Sequence, residues 1–344
     1  MTPDHPKINY GKTGILIVNL GTPDSTSWLD IRKYLKEFLS DRRVIEVNPL
    51  IWQVILNLFI LTFRPSKTAK AYKEIWMEDK NMSPLRYFTE RQAEKLSNKI
   101  SNEDLIVDFA MRYGNPSIKS KIHGLQKKGC ENLIILPLYP QYAAATTATV
   151  CDEVYRTLMK MRWQPNLKII PHYESEPLYI EAIKNSILKK ISEISWKPDL
   201  IIASYHGIPK KYFDKGDPYH CYCHKTTRLI SEQYSDIEIK TTFQSRFGPQ
   251  EWLQPYTDKA FEALPKEGKK NILVICPGFS SDCVETLEEI SIQGKESFIK
   301  SGGKNFEMVP CLNDSEDHIS LLKYGIPEFL VSKTQYYEVV FFLL

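Results

Sequence analysis

The chain has 344 residues, of which 42% are hydrophobic and 25% are charged, a composition typical of a globular protein long enough for two domains. Its net charge of +3 is too small to favour a nucleic-acid-binding protein. Seven cysteines at irregular spacing, and an N-terminus with neither a basic nor an apolar segment, indicate a cytoplasmic protein with reduced thiols.

The first half of the chain alternates apolar runs with stretches of helical period. Residues 14–20 are almost continuously apolar, which predicts a buried strand. Trp28, Ile31, Leu35 and Phe38 then recur at the spacing of one helix face. The same patterns predict strands over 105–110, 132–138 and 167–171, and helices over 66–76, 88–100, 117–128 and 146–161.

The second half repeats the pattern. It predicts helices over 180–194, 226–234, 283–300 and 315–324, and strands over 200–204, 237–243, 272–275 and 306–309. The alternation indicates an α/β fold of two Rossmann-like, doubly wound domains, each with a four-stranded parallel sheet, facing each other across a cleft. We assign residues 1–178, completed by a C-terminal helix over 315–344, to the first domain and 179–314 to the second. No G-x-G-x-x-G follows the first strand and no P-loop sequence occurs, so neither a dinucleotide nor ATP is favoured.

An apolar segment over 50–63 contains two amides and no charge. It is shorter than the roughly 20 residues that a membrane-spanning helix needs. Two interpretations remain open: a helix of the core, or an amphipathic surface that rests on a bilayer and is followed by the basic residues Arg64, Lys67 and Lys70.

The strand over 200–204 ends in Tyr205, His206 and Gly207. Ligands bind at the carboxyl ends of strands in open α/β sheets, so His206 is a candidate for chemistry. Asp282, Glu285 and Glu289 follow another strand end and begin a helix, where carboxylates also serve as caps. A histidine opposite these carboxylates could accept protons or hold a divalent cation.

Other histidines and cysteines carry weaker signals. The sequence Cys-x-Cys-His at 221–224 does not have the spacing of a structural zinc site. We interpret His220 and His224 as solvated loop residues, and His172 and His318 as structural residues.

Several long motifs together resemble the ferrochelatase family. They read SYHGIP at 204–209, KGDPY at 215–219, FQSRFGP at 243–249 and GFSSDCVETLEE at 278–289. The N-terminal VNLGTP at 18–23 and YLKEFLSD at 34–41 belong to the same resemblance, which runs in order from about residue 14 to about residue 313.

The resemblance implies insertion of Fe²⁺ into protoporphyrin IX, with release of two protons, as the terminal step of haem biosynthesis. It implies His206 and Glu285 as catalytic and metal-binding residues, with Glu289 and Asp282 as a relay for protons or metal. The implied porphyrin contacts are Arg64, Tyr72, Ser83, Arg112, Tyr113, Tyr219, Trp252 and Phe279.

The resemblance also implies that the apolar segment over 50–63 is a membrane-facing lip, with Trp52, Leu56 and Phe59 on its surface. We therefore expect a peripheral protein of the cytoplasmic face of the inner membrane. Some family members hold a [2Fe–2S] cluster through a cysteine after the third strand and three near the C-terminus. Here residues 141–147 contain no cysteine and none follows Cys311, so we expect no cluster, no tightly bound cofactor and a monomer.

Two questions remain open from the sequence. His206 is either the proton acceptor, which we favour, or a ligand of the iron. A non-catalytic tetrapyrrole or metal carrier, and a cobalt chelatase acting on an earlier tetrapyrrole, are the alternative functions. A carrier would not need a histidine paired with a carboxylate chain, and the chain length and the lip favour an apolar porphyrin as substrate.

Overall fold

The computed structural model describes residues 11–326 and contains two four-stranded parallel sheets. The first sheet has the strand order β2-β1-β3-β4. Its strands are β1 (Lys12–Thr22), β2 (Leu105–Gly114), β3 (Cys130–Pro137) and β4 (Asn166–Ile169). Ile17 of β1 lies opposite Phe109 of β2 and Leu136 of β3.

The second sheet repeats this topology with the order β6-β5-β7-β8. Its strands are β5 (Leu200–His206), β6 (Ile239–Gln244), β7 (Asn271–Ile275) and β8 (Asn305–Met308). The predicted α/β fold of two doubly wound halves is therefore confirmed. In each sheet the strand order reverses beside the first strand, at β1/β3 and at β5/β7, and this reversal opens a crevice at the carboxyl ends of those strands.

The helices cover both faces of the sheets. In the first half they are α1 (Trp28–Leu39), α2 (Pro49–Ile55), α3 (Leu61–Ile75), α4 (Pro84–Ile100), α5 (Ile118–Lys127) and α6 (Thr149–Leu158). In the second half they are α7 (Pro177–Glu193), α8 (Lys210–Asp214), α9 (Tyr219–Ser231), α10 (Thr257–Ala263), α11 (Val284–Thr286), α12 (Lys295–Lys300) and α13 (Glu316–Tyr324). Three π-helical segments continue or begin helices, at Leu56–Ile60, Ala144–Ala148 and Leu287–Gly294.

Strand β1 is buried on both faces, which explains its continuous apolar run. Ile15 and Ile17 pack into one core cluster of the first half, and Leu16 and Val18 into another on the opposite face. The side chains alternate because successive residues of a strand point to opposite sides.

Helix α13 contacts the cores of both halves. Its residues Ile319 and Leu322 lie in the core of the first sheet, whereas Leu321 lies in the core of the second. The prediction that this helix completes the first domain therefore stays a prediction, and it describes only part of the packing of α13. The rest of the predicted C-terminal helix, 327–344, lies outside the described residues.

The sequence patterns missed two short helices and misplaced several boundaries, with the largest error at the start of α9. Helices α8 and α10 have five and seven residues, too few to show a clear helical period. Helix α9 begins at Tyr219 instead of Thr226, so the interpretation of His220 and His224 as loop residues was wrong. Polar and aromatic residues dominate this first part of α9, so no apolar face marked it.

Candidate active site

A cleft lies between the two halves and contains about 770 Å³ of empty space, open solvent included. Both crevices contribute to it: Gly21 lies near the end of β1, Leu138 follows β3, His206 ends β5 and Phe279 follows β7. The predicted site residues that line the cleft are Tyr72, Ser83, His206, Tyr219, Phe279 and Glu285.

The protonation of the His206 ring follows from one hydrogen bond. Its Nδ1 lies 2.6 Å from the carbonyl oxygen of Gly207. A carbonyl oxygen can only accept, so Nδ1 carries the proton and donates it. In the neutral ring, Nε2 then keeps its lone pair and can accept a proton or bind a metal ion.

Glycine at position 207 is required by close neighbours. A Cβ atom there would lie 2.9 Å from the carbonyl oxygen of Gln244 and 3.2 Å from the Trp252 ring. Trp252 is buried and donates its indole N–H to the carbonyl of Phe247 at 3.0 Å. Trp252 is not among the cleft-lining residues, and its ring backs the loop that carries His206.

Glu289 is fixed by Ser245 at the end of β6. The Ser245 backbone N–H donates to Glu289 Oε1 at 2.8 Å, and its hydroxyl donates to Oε2. Burial raises the pKa of the Glu289 carboxyl, while the Ser245 hydrogen bonds and the nearby His206 oppose this change. A carboxyl group with a raised pKa releases and takes up protons closer to neutral pH, as a proton relay requires.

Gln244 holds this region together. Its side-chain N–H₂ donates to the carbonyl oxygen of Glu285 at 2.7 Å, and its amide oxygen accepts from Ser204 at 2.7 Å. Ser204 and His206 belong to β5, so one buried amide links the histidine strand to the first turn that carries Glu285.

Asp282 has a structural environment. Its carboxylate accepts from the Asn313 side chain at 2.6 Å and from the Thr286 hydroxyl at 3.0 Å. The helix cap is formed instead by Cys283 and Thr286, so the predicted capping role of Asp282 with Glu285 was wrong in detail. Asp282 is buried and is not among the cleft-lining residues.

Arg64 projects from α3 beside the loop that follows β6. Its guanidinium carbon lies 4.9 Å from the centre of the Phe247 ring. Burial lowers the pKa of Arg64, while the negative charge of Glu285 opposes that change. Arg64 is thus close enough to the site to interact with Glu285, although it is not among the cleft-lining residues.

Arg112 and Tyr113 lie behind the cleft rather than in its wall. Arg112 donates to Asp41 at 2.5 Å and to the carbonyl of Thr149 at 2.8 Å, and the Tyr113 hydroxyl donates to the same Asp41 oxygen at 3.0 Å. The guanidinium also lies over the Tyr113 ring at 4.3 Å. Both side chains are buried, and the Arg112 charge is compensated by Asp41.

The remaining predicted contacts line the first-half wall and the opposite rim. Ser83 is the N-cap of α4, and its hydroxyl accepts from the Arg86 N–H at 3.3 Å. Tyr72 and Tyr219 are buried, and burial raises the pKa of both phenols. Phe279 is partly buried and packs against the core of the second half.

Sequence reasoning assigned no role to several residues of the site. Gln244 and Ser245 stand in a stretch that carried the family resemblance, directly after a predicted strand, and that position was the available signal. Tyr139 and Gln141 also line the cleft. Within residues 11–326, the Tyr139 hydroxyl and the Gln141 amide oxygen are buried and have no hydrogen-bond partner.

The predicted lip is helical and apolar on its surface, but not at every position named. Phe59 is 58% exposed, whereas Leu56 is fully buried and Trp52 donates its indole N–H inward to the carbonyl of Leu39 at 2.7 Å. The assignment of Leu56 to the membrane-facing surface was therefore wrong. The exposed apolar residues of this surface, here called the lip, are Leu50, Ile51, Val54, Ile55, Leu58, Phe59 and Phe63.

Neither a membrane span nor a multi-ligand metal site occurs in the described part of the chain. No helix within residues 11–326 is long and apolar enough to cross a membrane. Over the same residues, no three His, Cys, Asp or Glu side chains are grouped so that they could hold a metal ion.

Comparison with known sequences gives a consistent family. The family model described as Ferrochelatase matches residues 12–328. The chain is 55% identical to the ferrochelatase of Allorhizobium ampelinum over 93% of this chain and 94% of that protein. Identity is 54% to the ferrochelatase of Rhizobium meliloti, with 94% and 96% covered, and 53% to that of Francisella tularensis subsp. novicida, with 94% and 98% covered.

Comparison with solved structures agrees at the level of the fold. SirB from Bacillus subtilis with Fe³⁺ superposes with a TM-score of 0.55 at 13% identity, over 92% of this chain and 94% of that one. The sirohydrochlorin chelatase SirB from Bacillus subtilis subspecies spizizenii in complex with cobalt gives 0.53 at 10% identity, over 90% and 92%.

Proposed function

The chain belongs to the ferrochelatase family, and from that membership we propose how its residues perform the reaction. The enzyme inserts Fe²⁺ into protoporphyrin to form haem. Metal entry replaces the two N–H protons at the centre of the macrocycle, so the site must remove two protons and deliver one cation. The alternatives of a carrier and of a cobalt chelatase are not favoured, because the relatives that share more than half of the sequence are ferrochelatases.

His206 is the proton acceptor in this proposal. The observation that carries the assignment is the hydrogen bond from Nδ1 to the Gly207 carbonyl, which leaves Nε2 of a cleft-lining ring free. A neutral imidazole can accept a pyrrole proton near neutral pH. The imidazolium formed would be stabilised by Glu289, whose charge acts on the ring.

Glu285 and Glu289 carry the protons onward. Glu285 lines the cleft, and its negative charge raises the pKa of Glu289. Two interacting carboxylates of this kind share protons more readily than two isolated ones. The Ser245 hydrogen bonds keep Glu289 in place while its charge changes.

Fe²⁺ is a substrate that must bind and leave. Imidazole and carboxylate ligands suit this ion, whereas thiolates would retain it more strongly. Nε2 of His206 and the Glu285 carboxylate are the imidazole and carboxylate groups of the cleft wall, whereas burial raises the pKa of the Cys283 thiol beside them and so disfavours its thiolate form. His206 as iron ligand is thus the competing assignment, and the experiment below separates the two roles.

Porphyrin binding is proposed for the cleft wall. Tyr72, Tyr219 and Phe279 offer aromatic surface, and Ser83 offers a hydroxyl. Arg64, whose guanidinium interacts electrostatically with the cleft residue Glu285, would attract a propionate. Arg112 and Tyr113 would act through their contact with Asp41, by supporting the wall from behind.

We further propose that the enzyme is a monomer that works on the cytoplasmic surface of the inner membrane through its lip. The lip presents large apolar side chains at the surface, and Lys67 and Lys70 are exposed on the following helix. Apolar side chains that enter the interface, together with lysines near anionic headgroups, bind proteins to membrane surfaces. No resident cluster is proposed; the seven cysteines, all in the described part, are free thiols.

The test is anaerobic metal insertion by wild type and His206→Ala, with Zn²⁺ as a surrogate for Fe²⁺ and porphyrin affinity measured by fluorescence. Loss of the proton acceptor should lower kcat by about 100-fold or more while the KM for metal and the porphyrin Kd change little. His123→Ala, on α5 and outside the cleft, is the control. A raised KM for metal with kcat preserved would assign His206 to iron binding instead, and unchanged kinetics would remove it from the mechanism.

A further inference from the structure

Two histidines form a pair on the outer face of the second half. His220 and His224 are four residues apart on α9, so they lie on the same side of the helix. The centres of their rings are 4.4 Å apart. His224 lines an open groove of about 1400 Å³ between α9, β6 and α10, which contains none of the residues assigned to the cleft.

This spacing matches the geometry of two imidazoles on one metal ion. With metal–nitrogen bonds of about 2.1 Å and the two ligands at a right angle, the ring centres of two bound imidazoles stand roughly 4.6 Å apart, close to the 4.4 Å observed here. Histidines at i and i+4 of a helix are a known arrangement for binding Zn²⁺. We propose that His220 and His224 chelate a divalent transition-metal ion at the surface of α9, separate from the catalytic cleft.

Neighbouring aromatic side chains position both rings. The His220 ring stacks on Phe243 at 5.7 Å and meets Phe213 edge-on at 5.1 Å. His224 lies 6.1 Å from the same Phe243 ring. A pair that is already held in place loses little conformational freedom when a metal binds.

The rings are also in the right charge state. Partial desolvation lowers the pKa of both His220 and His224, and the proximity of His220 lowers that of His224 further, so both rings are neutral near pH 7. A metal ion can reach the two rings from solvent, because His224 is exposed and His220 is half-buried.

The ligand set defines the class of metal. Within residues 11–326 no third His, Cys, Asp or Glu joins the pair, so water would complete the coordination. Two imidazoles with water suit Ni²⁺, Cu²⁺ and Zn²⁺, whereas Mg²⁺ and Ca²⁺ prefer oxygen ligands.

The test titrates Ni²⁺ into the metal-free full-length chain carrying His206→Ala, which removes the imidazole of the cleft. His220→Phe and His224→Phe each keep an aromatic ring against Phe243 but remove the ligand nitrogen. Because both nitrogens bind one ion, either substitution should weaken Ni²⁺ binding about tenfold or more. The Ni²⁺ affinity of the double variant should lie within about threefold of that of the single variants, because each single substitution already breaks the chelate.

Two controls make the outcome decisive. Cys221→Ser should leave Ni²⁺ binding unchanged, because the exposed Cys221 thiol takes no part in the proposed site. Circular dichroism should show the same fold in all variants. Wild-type affinity in either single variant, or losses that simply add in the double variant, would overturn the shared site.

Discussion

Two variants at positions only two or three residues apart can distinguish side chains of the lip that bind a membrane from side chains that pack in the core. Leu56→Ala truncates a fully buried side chain, whereas Leu58→Ser with Phe59→Ser alters side chains that are 62% and 58% exposed. We expect the first variant to lose stability and keep its affinity for membranes. The double variant should keep its stability and lose affinity for membranes, because the substituted side chains contact solvent in the folded protein.

The expected magnitudes follow from burial. A buried Leu→Ala change costs about 2–5 kcal/mol, a large share of the roughly 5–15 kcal/mol that stabilises a folded domain. Full burial of a Leu or Phe side chain is worth about 1.5–3 kcal/mol, so the exposed portions of Leu58 and Phe59 could supply about 1–2 kcal/mol each in a bilayer. Losing both should weaken membrane binding roughly 30-fold or more.

The assays are urea unfolding and sedimentation with vesicles that contain anionic lipid. Leu178→Ser, which is 39% exposed on α7 and remote from the lip in sequence, serves as the matched apolar-to-polar control. Equal vesicle binding by wild type and the double variant would refute the membrane-facing lip. Unchanged unfolding of Leu56→Ala would refute the inward packing of the π-helical segment.

Three further outcomes are expected. Asp41→Asn leaves the buried Arg112 charge uncompensated and should cost about 3–5 kcal/mol in urea unfolding, whereas Asp41→Asn combined with Arg112→Met should recover part of that loss. Burial lowers the pKa of His318 from 6.5 to about 4, so between these pH values the unfolded chain binds more protons than the folded one. The free energy of unfolding should therefore be unaffected by His318 above pH 6.5 and should fall by about 3 kcal/mol as the pH falls to 4. His318→Gln should remove this loss. Glu289→Gln cannot carry a proton and should lower kcat about 100-fold with porphyrin affinity preserved, whereas unchanged kcat would exclude the relay.

The fold was predictable from the sequence because strands buried on both faces produce long apolar runs. Residues 14–20 and 200–204 are examples, and the site residue His206 was found because polar residues follow such a run abruptly. The short helices α8 and α10 were missed because five to seven residues carry little periodic signal.

Side-chain orientation was harder to predict than the elements themselves. The segment over 50–63 is apolar on every side, so its sequence could not show which side chains turn inward, and a π-helical segment at Leu56–Ile60 shifts their phase further. Arg112 was predicted to contact the porphyrin, but in the structure it pairs with Asp41. The two residues are 71 positions apart in sequence, so no local pattern indicated this pair. The tautomer of His206 depends on a backbone carbonyl, which no sequence pattern records.

One buried side chain joins the two halves beneath the cleft. Gln92 on α4 donates to the Ser281 hydroxyl and to the Asn313 carbonyl, each at 2.8 Å. Moving the two halves apart would break both hydrogen bonds, at a net cost of about 0.5–1.5 kcal/mol each once water replaces them. We therefore expect the two halves to stay joined when haem leaves, so that product release uses local movement at the mouth of the cleft.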